Sequence, residues 1–201
     1  MSSNTTGTAV AAEPFLTAAE RELAHRYLQQ THHGIVGAIK GLSGDQWKFR
    51  PAPDQWSIAE VAEHVIFVNE LILGPGREKL RNAPAPPFDR DLKFVDSIIL
   101  GQFPSRLAKF SAPAMSHPVG RCASPAEALD LLGKTYAELD EYVESTDLRQ
   151  HATEAPPIKA ITNGAYDTLD GYQWILAVAA HCERHTKQML EVRADPAFPA
   201  A

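Results

Sequence analysis

Cysteine is scarce in this chain: its 201 residues hold two, Cys122 and Cys182. Two cannot make a disulfide framework, and nothing suggests an oxidising compartment, so the expected location is the cytoplasm. Long apolar runs are also missing. None approaches the roughly 20 residues needed to span a bilayer. The opening stretch, MSSNTTGTAVAAEP, lacks the basic start and apolar core of a secretory signal. Residues 1–14 therefore read as a disordered tail ahead of one domain over residues 15–195. Basic blocks are absent too, and the net charge is −6. That balance argues against a phosphate-tracking nucleic-acid surface and does nothing to favour anionic membranes. No nucleophile elbow, Gly-rich phosphate loop, dinucleotide fingerprint or CxxC pair occurs.

What is present is helical pattern. Hydrophobic residues make up 44% of the chain and charged residues 22%, in the range of soluble globular domains. Four long amphipathic segments stand out, with no convincing strand. The first runs from Thr17 to Lys40, opened by the capping box Thr17-Ala18-Ala19-Glu20, with Leu23, Tyr27, Gly34, Ala38 and Leu42 along one side. The second opens at Ser57-Ile58-Ala59-Glu60 and carries Ile58, Val61, Val65, Val68 and Ile72; Gly74-Pro75-Gly76 should stop it. The third opens at Ser124-Pro125-Ala126-Glu127 and carries Ala128, Leu131, Leu132, Tyr136, Leu139 and Val143. The fourth runs from about Leu169 to Arg193, capped by Thr168 or Asp167. Trp47 and Trp56, in the Pro-rich link between the first two helices, should pack on the end of the bundle. The proline-containing link from Gly74 to Ala123 is long, with a short helix expected in Asp91–Leu100. Such a link suggests neighbouring helices that run parallel rather than a plain up-down-up-down order.

The chemistry lies in histidines. His181 and His185 stand at i and i+4 in the fourth segment, so they share one face about one turn apart. His64 lies on the apolar stripe of the second. An imidazole on an inward face is costly to bury unless its nitrogens find partners. A divalent metal answers that need: Zn²⁺ accepts three protein ligands plus water in catalytic sites, and Ni²⁺, Mn²⁺ and Fe²⁺ also accept imidazole. Core histidines satisfied by protein groups remain the alternative, since the sequence alone does not set His64 opposite the pair. Cys182 follows His181 where a zinc-protease helix would have Glu, which disfavours that mechanism; a small buried group is its simpler role. His25 and His32 fall off the apolar face and are expected to be exposed. His33, His117 and His151 lie in polar or loop contexts. Gln188, three residues past His185, has two equal readings: a hydrogen bond near the site, or a place on the polar helix surface. No general base is evident; Glu183 or a carboxylate of the middle link are the residues available.

With WSIAEVAEHV (Trp56, Ser57, His64) and HCERHTKQ (His181, His185, Gln188), residues 15 to 193 resemble the DinB-like superfamily, the DinB/YfiT-like metalloenzymes. The resemblance implies an all-α four-helix bundle in up-down-down-up order, with a long crossover between the second and third helices. It also implies a three-histidine metal site, carried over to His64, His181 and His185. For activity it implies a metal-dependent hydrolase, or a thiol S-transferase using a low-molecular-weight thiol. Either would act on a small-molecule substrate, in a chain able to form a homodimer. A non-catalytic protein whose metal staples two helices is the competing class. An exchangeable water on the metal would favour the enzyme, and a fourth protein ligand the staple.

Overall fold

The computed structural model describes residues 16–87, 89–107, 112–145 and 148–200; the expected tail, residues 1–14, lies outside them. The described chain is mostly helical. Its long helices are α1 (Ala18–Ile39), α3 (Ile58–Leu71), α6 (Pro125–Ser145) and α8 (Gly171–Arg193). Capping boxes begin three of them, α1, α3 and α8. Thr17 accepts from the Glu20 N–H and Ser57 from the Glu60 N–H, each glutamate returning a bond to its cap. At α6 the pattern is shifted by one residue: Ser124 accepts from Glu127 N–H, but the Glu127 carboxylate reaches Ala123 N–H.

α1 packs on α8 and α6, and α3 packs on the same two helices. Contacts along α1 and α8 rise together. Thr31 meets Cys182, Gly34 lies beside Thr186, and Arg193 donates to Gly37 and Ala38, so these helices run parallel. Against α6 the order reverses. Arg21 donates to the Val143 carbonyl, while Thr31 lies 3.4 Å from Tyr136 Oη, so α1 and α6 are antiparallel. The buried face of α1 is Ala24, Tyr27, Leu28, Thr31, Ile35, Ala38 and Ile39; Leu23, Gly34 and Leu42 of the expected stripe are only half-buried. The core between the long helices includes Ile58, Val61, Val65, Leu132, Leu139, Ile175 and Val178.

Three local features depart from the sequence reading. The second helix does not stop at Pro75. It widens into a π turn, Ile72–Gly76, and continues as α4 (Arg77–Arg81). Proline has no N–H for an α-helical bond, and the wider turn lets Arg77 N–H reach Ile72 O instead. Gly76 permits it, because a Cβ there would lie 2.9 Å from Leu71 O. Second, α8 is capped by Asp170, whose carboxylate accepts from Gln173 N–H, not by Thr168 or Asp167. The preceding residues Thr168–Asp170 form a short strand, β2, antiparallel to β1 (Ala152–Glu154). Third, a short helix α2 (Gly44–Lys48) carries Trp47 into the core, fully buried, with its indole N–H donating to Cys122 O. The expected helix in the crossover is α5 (Leu92–Gln102), and α7 (Pro156–Ile161) lies between the two strands.

At the start of α8 lies a buried charge cluster. Arg149 donates to Asp170 (2.8 Å), Asp96 (2.7 Å) and Glu20 (2.7 Å), and its guanidinium stacks 4.3 Å from the centre of the Tyr172 ring. It joins α1, α5 and α8 at one point. Among the described residues, no helix is long and apolar enough to cross a membrane.

Candidate metal centre

α3 and α8 bring together the three histidines. One nitrogen from each of His64, His181 and His185 lies within 4.8 Å of the others, a spacing that could hold a metal ion. The local reasons are simple. His181 and His185 share a face of α8, and α3 packs against that face, so His64 enters between them: its ring centre is 5.0 Å from that of His181 and 4.8 Å from that of His185. His64 and His185 are buried, while His181 retains some exposure.

Hydrogen bonds fix which nitrogens face inward. His64 Nδ1 donates to the Ser116 carbonyl at 2.9 Å; a carbonyl only accepts, so Nδ1 carries the proton and Nε2 keeps its lone pair. Gln188 Oε1 does the same for His185 Nδ1 at 2.8 Å. Metal-binding histidines are ordinarily oriented through the second nitrogen in this way. His64 Nε2 then faces His181 Nε2 at 3.1 Å, and His181 Nδ1 is buried with no hydrogen-bond partner among the described residues. In the neutral protein His181 must either oppose two lone pairs or leave a bare buried acceptor. A cation between the rings removes the lone-pair conflict, so the donor set fits a divalent ion.

The surroundings keep the imidazoles uncharged. Burial depresses all three. His185 is pushed down to about 3 by burial and the facing His64, and His181 falls well below its ordinary value through burial, His185 and His64. His64 is lowered by burial, against the Ser116 carbonyl. A neutral imidazole is the form that binds metal. Trp56 closes one side, its ring 5.1 Å from His64 and 6.1 Å from the exposed His117.

The other candidates lie elsewhere. Cys182 turns toward α1, its thiol contacting Thr31 O at 3.6 Å, and burial pushes it up to about 11. Glu183 accepts from Tyr27 Oη at 2.8 Å and pairs with Lys187, so it faces α1 rather than the centre. Cys122 is buried, and burial pushes its thiol up. His25 is not free in solvent but held between Asp140 (2.5 Å) and Glu144 (2.6 Å), and His32 stacks on Tyr136. His33 is exposed, and His151 contacts Ala83 O. The sequence reading missed Ser116 and Glu63. The Ser116 carbonyl bonds the His64 ring and Glu63 accepts from the Val119 N–H, each pair more than fifty residues apart in sequence, so neither leaves a local signal.

No solved structure matches the chain. An uncharacterized protein of Bacillus subtilis (strain 168), YuaE, is 24% identical over 155 residues, covering 77% of this chain and 88% of the relative. The family profile of the DinB superfamily matches residues 27–189, which include all three histidines, the whole of α3 and α8 as far as Met189. The chain belongs to the DinB superfamily.

Proposed function

We propose that His64, His181 and His185 bind one divalent metal ion, Zn²⁺ before Ni²⁺, Mn²⁺ or Fe²⁺, in an enzyme acting on a small molecule. The observation that carries this reading is the convergence of three neutral imidazoles within 4.8 Å, two of them oriented through their second nitrogen. A bound divalent ion supplies Lewis acidity, bringing a water or a low-molecular-weight thiol to its reactive form near neutral pH. Three protein donors leave a four-coordinate ion a further position for that group.

The chain's own residues set the conditions. His64 and His185 hold their Nε2 lone pairs inward through Ser116 O and Gln188. Trp56 packs beside the His64 ring and Ser116 of the crossover bonds it, leaving His64 5% exposed. Hydrolysis of a small ester or amide and transfer of a low-molecular-weight thiol to an electrophile are the two reaction classes of this reading. Fold, location and assembly go with it: an up-down-down-up four-helix bundle over 15–195, supported by the parallel α1/α8 and antiparallel α1/α6 registers, in the cytoplasm. Homodimerisation through an exposed helix face belongs to the same reading, and Leu190, half exposed on α8, lends it support. The net charge of −6 favours a small molecule over nucleic acid as partner.

The test is metal content by ICP-MS of the purified protein beside His64→Ala and His185→Ala. Near-stoichiometric metal lost in both variants is the expected result, followed by thiol-transfer and esterase panels. Protein that stays metal-free after reconstitution refutes the reading. Stoichiometric metal with a fourth protein ligand and no exchangeable water would make the ion a helix staple instead.

A further inference from the structure

The residue before His64 is a glutamate that is 4% exposed. Neighbouring positions on a helix diverge by about 100°, so Glu63 cannot share the direction of His64. It points to the crossover. There its carboxylate accepts three successive backbone N–H groups: Val119 (2.7 Å, to Oε1), Gly120 (2.9 Å, to Oε2) and Arg121 (3.0 Å, to Oε2). Gly120 has φ +86°, the left-handed conformation that helps neighbouring N–H groups converge on one anion. A buried carboxylate is tolerated only when bonded in this manner.

The connection from this clasp back to the centre is short and stiff. Ser116, whose carbonyl accepts the hydrogen bond from His64 Nδ1, is separated from Val119 only by His117 and Pro118. Pro118 has a fixed φ and confines the residue before it; His117 is extended, at φ −70° and ψ 139°. On the other side, Ser116 is closed into a 3-10 turn, both its N–H and its hydroxyl donating to Pro113 O at 2.9 Å. Holding Val119–Arg121 therefore holds the Ser116 carbonyl.

We infer that Glu63 is the positioning residue of the candidate metal centre: by clasping residues 119–121 it sets the Ser116 carbonyl, which fixes the tautomer and aim of His64. Consecutive residues of one helix thus divide the work, His64 facing the ion and Glu63 fastening the segment that orients His64. The inference rests on the metal-binding reading for its effect on affinity, but the tautomer of His64 is set in the metal-free protein as well. The coupling is reciprocal: whatever the clasp contributes to metal binding, metal binding returns to the clasp.

The experiment compares wild type, Glu63→Gln, Glu63→Ala and Glu70→Gln. The last removes the exposed carboxylate paired with Arg121 (2.7 and 2.8 Å) from the same segment but leaves the clasp intact. Long-range ¹H–¹⁵N spectra of metal-free protein read the His64 tautomer. Zn²⁺ affinity by chelator competition reads the consequence. Expected are a protonated Nδ1 in wild type and Glu70→Gln, a mixed tautomer in both Glu63 variants, and a 10–100-fold lower Zn²⁺ affinity in those variants, the usual scale for a group that orients a ligand. An unchanged tautomer in Glu63→Gln, or affinity within about twofold of wild type, overturns the inference. Should the Glu63 variants fail to fold, wild-type amide exchange decides: added Zn²⁺ must slow exchange at Val119, Gly120 and Arg121, and no change there overturns it. If wild type binds no Zn²⁺, the proposed function fails, while the tautomer comparison still judges Glu63.

Discussion

Replacing Arg149 with methionine should unmask the charge cluster at the start of α8. Arg149 is 1% exposed and Asp170 fully buried, and the guanidinium meets three carboxylates at 2.7–2.8 Å. Methionine keeps much of the side-chain volume, so the principal loss is charge. Removing one partner of a buried pair strands the other in low dielectric, at about 3–5 kcal/mol. For a chain of this size that corresponds to a drop in Tm of about 6–20 °C. The pH dependence identifies the cause. Burial already pushes Asp170 up to about 6, with Arg149 opposing it; without Arg149 the carboxyl rises further, while the unfolded chain keeps a value near 3.9. A raised carboxyl pKa means that the folded state binds more protons, so its stability falls as pH rises through that range. The gap between wild type and Arg149→Met should accordingly narrow from pH 7.5 to pH 5.5 as Asp170 takes up a proton. Urea unfolding followed by far-UV CD at both pH values measures it. A gap below about 1 kcal/mol at pH 7.5, or one that widens in acid, would refute the reasoning.

Further predictions concern α1, α8 and the centre. His25 bonds a carboxylate through each ring nitrogen, so it is held as the imidazolium, and Asp140 and Glu144 raise its pKa against burial. Its contribution is complete below pH 6.5 and lost as pH rises through the raised value. His25→Gln should therefore lower Tm at pH 6, by no more than about 1 kcal/mol of stability, and match wild type at pH 9. Gly171→Ala should destabilise by about 1–3 kcal/mol, because the new Cβ would meet Leu148 O at 2.9 Å and Leu80 Cδ2 at 2.8 Å; thermal melts within 0.5 °C of wild type would contradict this. His185 is depressed to about 3, so its imidazole stays neutral in mild acid. Metal bound at the centre should accordingly persist at pH 5.5, where equilibrium dialysis would detect its loss.

Interactions spanning three or four residues within the long helical patterns were legible in the sequence; those crossing the fold were not. Capping boxes at Thr17 and Ser57 are local, and so is the shared face of His181 and His185. Gln188 is one turn from the His185 ring, so its hydrogen bond could be offered from the sequence, though only beside an equal polar-surface role. Pro75 misled because local propensity describes the end of an α-helix but not the wider turn that accommodates proline. Asp170-x-x-Gln173 and Ser43-x-x-Gln46 had the right spacing for caps, yet a three-residue strand and a five-residue helix carry too little periodicity to draw attention. His25 was misplaced because its carboxylate partners lie on α6. The meeting of His64 with the α8 pair was implied by family resemblance alone, and neither Ser116 O nor the Glu63 clasp leaves a side-chain pattern to find.

The Arg149 cluster and the histidines secure α8 at separate points. Asp170 caps the helix, and His181 stands eleven residues further on, about 16 Å along the axis. Around the centre, Tyr27–Glu183 and Arg193 with the end of α1 bind α8 without any help from an ion. The scaffold is therefore anchored independently of anything held at the centre. On the proposed metal-binding reading, a chelator should leave the chain folded and ready to take up a different divalent ion. Forms of one polypeptide loaded with different metals would then be directly comparable, and the three histidine positions would be open to redesign without rebuilding the fold.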